Sequence, residues 1–214
     1  MYIPPHFRVD DPEALTAFLL ANSFASLVTV VNGEPFATHL PLLYQPETNS
    51  LIGHLAKANP QCEHLANTES VLAIFTGPHG YISPRWYTHA PAVPTWNYTA
   101  VHVYGKPKLI TEPEALTKIL LTLEAHYEPE PIPYDDTFFA PKLKGIVGVE
   151  LEISRLEGKF KLSQNIPAES REKVIAKLKE SERSEAAEER SPRVPFGCGR
   201  LPSRRLSEIM ENTK

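Results

Sequence analysis

The sequence predicts a mainly β protein of the α+β kind, an antiparallel barrel with helices outside it. Two patterns point there. Six or so segments rich in β-branched and apolar residues are interleaved with three helical patterns, and no regular βαβ alternation joins them. In addition, Asn32-Gly33 separates two of the apolar segments, the strongest short-range hairpin signal available.

Taken in chain order, "DDPEALTAFLLANSF" offers Asp10 or Asp11 as N-cap, Pro12 in the first turn and Leu15, Phe18 and Leu19 on one face. This predicts a short amphipathic helix. "ASLVTVV" and "PFATHLPLLYQ" flank the Asn-Gly pair and predict a hairpin over residues 25–45. "LIGHLA" reads as a strand, and "NPQCEHLANT" as one or two helical turns opening at Asn59-Pro60. "SVLAIFTG" predicts a strand ending at Gly77. The proline- and aromatic-rich residues 75–98 are then expected to be loop.

Beyond them "TAVHVYGKPKLI" alternates as a half-buried strand does. "TEPEALTKILLTLEAHYE" has Thr111 and Glu114 in capping-box spacing and Leu116, Ile119, Leu120 and Leu123 on one stripe, so a helix is expected. "PEPIPYDD" reads as an acidic, proline-broken loop, and "GIVGVELEISRLEGKFKL" as a long strand with a turn around Glu157-Gly158. Residues 169–190 form a charged helical pattern with a thin stripe of Val174, Ile175 and Leu178, and a proline- and glycine-broken tail ends in another short helical pattern. That region reads as a partly mobile appendage.

Composition narrows the function classes. A chain of 214 residues supports one main domain plus an extension. Its net charge of −4 gives no general attraction to nucleic acid or to an anionic membrane. The one compact basic run, "RLPSRR" at 200–205, is short for a phosphate footprint, so direct nucleic-acid binding is not supported. Cys62 and Cys198 lie far apart and suggest neither a disulfide framework nor a cysteine zinc site, which favours a reducing cytoplasm. No export signal and no membrane span is expected.

P-loop, G-x-G-x-x-G, G-x-S-x-G, H-E-x-x-H and C-x-x-C motifs do not occur, and the eight histidines lack metal-ligand spacing. No protein-bound metal is expected. Two features carry chemistry. Lys57 and Asn59 stand just before a helix start, where a cation and free amides could hold a phosphate; a surface lysine and a capping asparagine is the plainer reading. Both tryptophans, with tyrosines, histidines and prolines, crowd into 75–98, either as a lid packed over the core or as planar walls of a site.

"MYIPPHF", "GHLAKANPQ", "GPHGYISPRWY", "VPTWNY" and "LEGKFKLSQN" occur in the order and approximate spacing of the PaiB-like family of FMN-binding negative transcriptional regulators, which the chain therefore resembles over residues 1 to about 165. The resemblance implies a split β-barrel of the FMN-binding, pyridoxine-phosphate-oxidase-like type over 1–165, a helical extension over 166–214, and a homodimer with FMN at the subunit interface. It implies a cofactor site at Thr38, His39, His54, Lys57, Ala58, Asn59, His79, Tyr81, Ser83, Trp86, Trp96, Asn97, Tyr98, Ser163, Gln164 and Asn165, with Lys57 on the phosphate. Relatives commonly follow "KLSQN" with a basic residue, whereas Ile166 and Pro167 stand here. Three functions are compatible with this: a flavin-linked regulator, an FMN-dependent oxidoreductase for a small molecule, and a haem-binding split barrel with His79, His89 or His126 as nominal axial ligands.

Overall fold

Asn32 and Gly33 both adopt positive φ, 53° and 83°, and this double left-handed turn folds β2 (Phe24–Val31) back on β3 (Glu34–Pro41) in register from Phe24 opposite Pro41 to Val31 opposite Glu34. The hairpin is shorter than the predicted 25–45. Leu43–Gln45 is a separate strand, β4, which pairs with β5 (Ser50–Ala56) instead. The structure is a computed structural model of the chain and describes residues 1–88, 90–133, 141–188 and 206–213, with 182–188 as backbone alone. His89, the end of "PEPIPYDD", Cys198 and "RLPSRR" lie outside the described residues.

The remaining strands are β1 (Arg8–Val9), β6 (Val71–Ile82), β7 (Thr95–Ile110) and β8 (Ile146–Lys161). They form one sheet in the order β3-β2-β6-β7-β8-β5-β4, with β1 joined to β8. The fold class is the predicted one, mainly β and antiparallel, of the split-barrel kind with helices added. The helices among the described residues include α1 (Pro12–Ala21), α2 (Gln61–Ala66), α3 (Pro113–Tyr127), α4 (Ala168–Glu188) and α5 (Leu206–Asn212).

Three boundaries depart from expectation. β6 does not stop at Gly77 but runs to Ile82, and β7 starts at Thr95, so much of the expected aromatic loop is strand. β8 passes through Glu157-Gly158 without a turn. The capping box at α3 does not form: Glu112 is the N-cap, without a side-chain capping bond, and its carboxylate accepts from the Thr111 amide at 3.3 Å. At α1, by contrast, Asp11 caps as predicted, accepting from the Glu13 amide at 3.2 Å.

The chain divides into two compact units. One comprises Asp10–Thr76 and Val101–Gly158. Its core is built from alternate strand residues, among them Leu27, Leu51, Ala73, Phe75, Val101, Val103, Val149 and Leu151, all almost fully buried. Leu116, Ile119 and Leu123 are the buried face of α3, and the last two pack with Leu43, Ile52 and Ile110. β5 comes so close to the end of β3 that a Cβ at Gly53 would stand 2.5 Å from the Pro41 carbonyl oxygen.

The other unit comprises Met1–Val9, Gly77–Ala100 and Lys159–Lys214. The stripe Val174, Ile175 and Leu178 of α4 joins Ile82, Leu162, Leu206 and Met210 in one apolar cluster, against which Trp86, Tyr87 and Phe160 pack. Arg171 ties α4 to α5, its guanidinium donating to the carbonyls of Met210 and, at 2.7 Å, Thr213. The charged helix and the short one after it are thus joined to the strand ends by an apolar core.

Candidate functional site

In the unit built from Gly77–Ala100 and the chain ends, alternation along the strands sorts side chains onto two faces. Gly80, Ile82, Phe160 and Leu162 face the apolar cluster. His79 and Tyr81 of β6 face the other way and meet Trp96 of β7, with ring centroids at 6.3 Å and 6.2 Å. Trp96 is 54% exposed and Tyr81 47%. Tyr98, two residues along β7, lies beside Lys159, whose Nζ stands 5.2 Å from the Tyr98 ring and donates to the Tyr2 carbonyl at 3.1 Å. This is an open planar face with a cation at one end.

Asn97 points away from Trp96. Its amide is fully buried, donating to Ser163 Oγ at 2.9 Å and reaching Met210 Sδ at 3.5 Å. Gln164 closes the end of β8, accepting from the Leu162 amide and donating to the Phe160 carbonyl. Ser83 caps the 3-10 turn Pro84–Trp86, accepting from the Arg85 amide at 3.3 Å, and Trp86 packs on the apolar cluster. Of the residues expected to line one site, His79, Tyr81, Trp96 and Tyr98 therefore share a face, while Asn97, Ser163, Gln164, Ser83 and Trp86 hold the scaffold behind it.

A cavity of about 350 Å³ opens where Tyr87 and residues 91–93 meet the end of β8. Asn97, Ser163 and Asn165 line it together with Thr95, Lys161, Phe7, Tyr87, Val93 and Ile166. Lys161 donates to Thr95 Oγ1. Burial pushes the Lys161 ammonium below its ordinary pKa, and the neighbouring Lys159 charge adds to this against the opposing pull of Tyr98. Sequence reasoning passed over Lys159 and Lys161; the signal was K-x-K in a strand, which puts both lysines on one face.

The other predicted residues belong to the larger unit. Lys57 and Ala58 are exposed in the turn between β5 and α2. The plainer of the two readings, a surface lysine and a capping asparagine, is the one seen: Asn59 Oδ1 accepts from the Gln61 amide at 2.9 Å, and the Cys62 and Glu63 amides bond to the carbonyls of Asn59 and Pro60. Asn59 Nδ2 donates to Thr38 Oγ1 at 2.9 Å, joining α2 to β3. Gln61, fully buried, donates to the Leu27 carbonyl and Thr29 beneath them. His39 is exposed and bonded to Ser26. His54 Nδ1 is buried with no partner among the described residues, and burial lowers the pKa of its ring. Lys57 Nζ likewise has no carboxylate partner among them.

Among the described residues no three His, Cys, Asp or Glu side chains are gathered as a metal site, and no helix is long and apolar enough to cross a membrane.

Residues 1–155 match the model of a family described as "Putative FMN-binding domain". The chain is 38% identical over 195 residues to the protease synthase and sporulation protein PAI 2 of Bacillus subtilis, covering 87% of this chain and 93% of that one. Among solved structures, the FAD and heme binding protein from Mycobacterium smegmatis superposes with a TM-score of 0.61 at 17% identity, over 79% of both chains. The flavocytochrome Anf3 from Azotobacter vinelandii gives 0.60 at 16% identity, over 74% of this chain and 72% of that one. At such identities the two structural likenesses speak to the fold alone.

Proposed function

This chain belongs to the family described as a putative FMN-binding domain, and on that premise we propose that it is a cytoplasmic, homodimeric FMN-binding flavoprotein with a regulatory output. FMN is its cofactor. The observation that carries the reading is the outward face formed by His79, Tyr81 and Trp96, planar groups left open where a flat tricyclic ring would cover them. The residues present suit the group: the face supplies stacking surface, and, taken by itself in the other unit, the exposed Lys57 offers a cation with no carboxylate partner among the described residues for a phosphate. Bound FMN supplies reversible redox chemistry that the side chains lack.

The two sets of residues are assigned separately. In a homodimer with FMN at the subunit interface they can come from different chains. Lys57 acts as a single charge, since the neighbouring helix amides are already bonded.

The regulatory part rests on the name of the B. subtilis relative, a sporulation protein. The competing reading, an FMN-dependent oxidoreductase, is favoured by the cavity beside Lys161, which has room for a small molecule. The absorption spectrum of the purified protein, followed by FMN titration and by reduction with a nicotinamide donor, tests all of this. A flavin spectrum without steady turnover is the expected result, turnover with a donor and acceptor supports the oxidoreductase, and a haem spectrum overturns both.

A further inference from the structure

The cavity at the end of β8 contains a half-buried cation with no carboxylate partner among the described residues. Of the donors on Lys161 Nζ, one is engaged by Thr95 Oγ1. Its charged neighbour Lys159 has the same sign and is already committed to the Tyr2 carbonyl. A half-desolvated ammonium in such surroundings is stabilised by an anion placed against it. The wall opposite is apolar, made by Phe7, Tyr87, Val93 and Ile166. Behind, the buried Asn97–Ser163 pair, bonded to each other, fixes the strand ends that frame the cavity.

We propose that this cavity binds a small organic monocarboxylate with an apolar body, its carboxylate on Lys161 and its body against Phe7, Tyr87 and Val93. The volume of about 350 Å³ lies near the lower end for small-molecule sites, which suits a ligand of metabolite size. A single cation without a carboxylate partner among the described residues matches one negative charge better than a phosphate dianion. His79, Tyr81 and Trp96, the residues assigned to the flavin ring, are not among the residues that line the cavity.

The experiment uses the full chain and sodium benzoate as probe, with benzamide as its uncharged counterpart, followed by calorimetric titration with and without FMN. Benzoate is expected to bind saturably, and benzamide about tenfold more weakly or worse, the worth of a charge-assisted hydrogen bond. Lys161→Met should weaken benzoate by a similar factor and leave FMN affinity unchanged, while Lys161→Arg restores benzoate. Ala92→Phe, which fills the cavity from its half-buried lining, should abolish benzoate binding and spare FMN, and it decides the matter should Lys161→Met fail to fold. Four results overturn the proposal: no saturable benzoate binding, equal affinity for benzamide, undiminished binding in both variants, or a matched loss of benzoate and FMN, which would make the cavity part of the flavin site. Failure of FMN to bind while benzoate behaves as described would remove the flavin reading and leave this one standing.

Discussion

Asn97 and Ser163 grip each other through two hydrogen bonds, Asn97 Nδ2 donating to Ser163 Oγ at 2.9 Å and Ser163 Oγ donating to Asn97 Oδ1 at 3.1 Å. Both residues are buried, at 0% and 3% exposure, so neither can trade its partner for water. Asn97→Ala should cost about 1–3 kcal/mol in denaturant unfolding, the penalty of leaving buried polar groups unmatched. Ser163 also holds a left-handed backbone, φ 60°, so Ser163→Gly should be milder than Ser163→Ala. The reverse order would show that the packing of the β-carbon, not the backbone conformation, sets the difference between the two.

The two tryptophans should behave oppositely. Trp96→Ala removes an exposed ring, so the apo protein should change by less than about 0.5 kcal/mol, while FMN affinity falls by about 0.5–1.5 kcal/mol. Trp86 packs on the cluster of Ile82, Leu162 and Val174, and Trp86→Ala should lower apo stability by about 1–3 kcal/mol and leave flavin contacts alone. Thermal unfolding beside flavin titration distinguishes them. Undiminished FMN affinity in Trp96→Ala would move the ring off this face.

Lys57→Ala should weaken FMN by about 1.5–3 kcal/mol, the worth of a hydrogen bond to a charged group, and leave riboflavin, which lacks the phosphate, nearly as before. The fold should not notice, since among the described residues Lys57 is engaged through its backbone amide, which donates to the Gly145 carbonyl at 2.8 Å, and not through its side chain. Equal losses for the two ligands would assign Lys57 elsewhere.

Much of this was readable in the residues. The Asn32-Gly33 turn, the Asp11 cap of α1 and the apolar stripe of α3 each rest on local chemistry that no later contact overrides. β6 was misread because Pro78 and Gly80 usually punctuate strands; here the Pro78 carbonyl accepts from Thr99 Oγ1, and the chain stays extended to Ile82. Which face Trp96, Asn97 and Tyr98 each take depended on recognising them as strand, and with them as loop the three looked equivalent. Lys159 and Lys161 fall within the expected strand, but K-x-K alone names no ligand, and the pair gains a role only where the folded strand sets Lys161 beside Thr95 and Lys159 beside Tyr98.

Acid should destabilise the protein through two histidines. Burial holds the rings of His54 and His102 below their ordinary pKa of 6.5, and the Nδ1 of each is buried without a partner among the described residues. As pH falls through about 6.5 the unfolded chain takes up protons that the folded rings refuse, so stability drops with falling pH and is regained above that value. Unfolding midpoints of the wild type and His54→Gln, compared on either side of this window, should show a shallower pH slope in the variant. An unchanged slope would place the acid sensitivity outside His54.

The Leu206 and Met210 side chains cover Ile82 and Leu162, and that arrangement has a consequence for synthesis on the ribosome. Strand residue Ile82 emerges long before its cover exists. At ordinary elongation rates the delay between the two is on the order of ten seconds. Through that interval the nascent chain presents an uncovered apolar patch, which stays open to other apolar surfaces until residues 206–210 have cleared the exit tunnel.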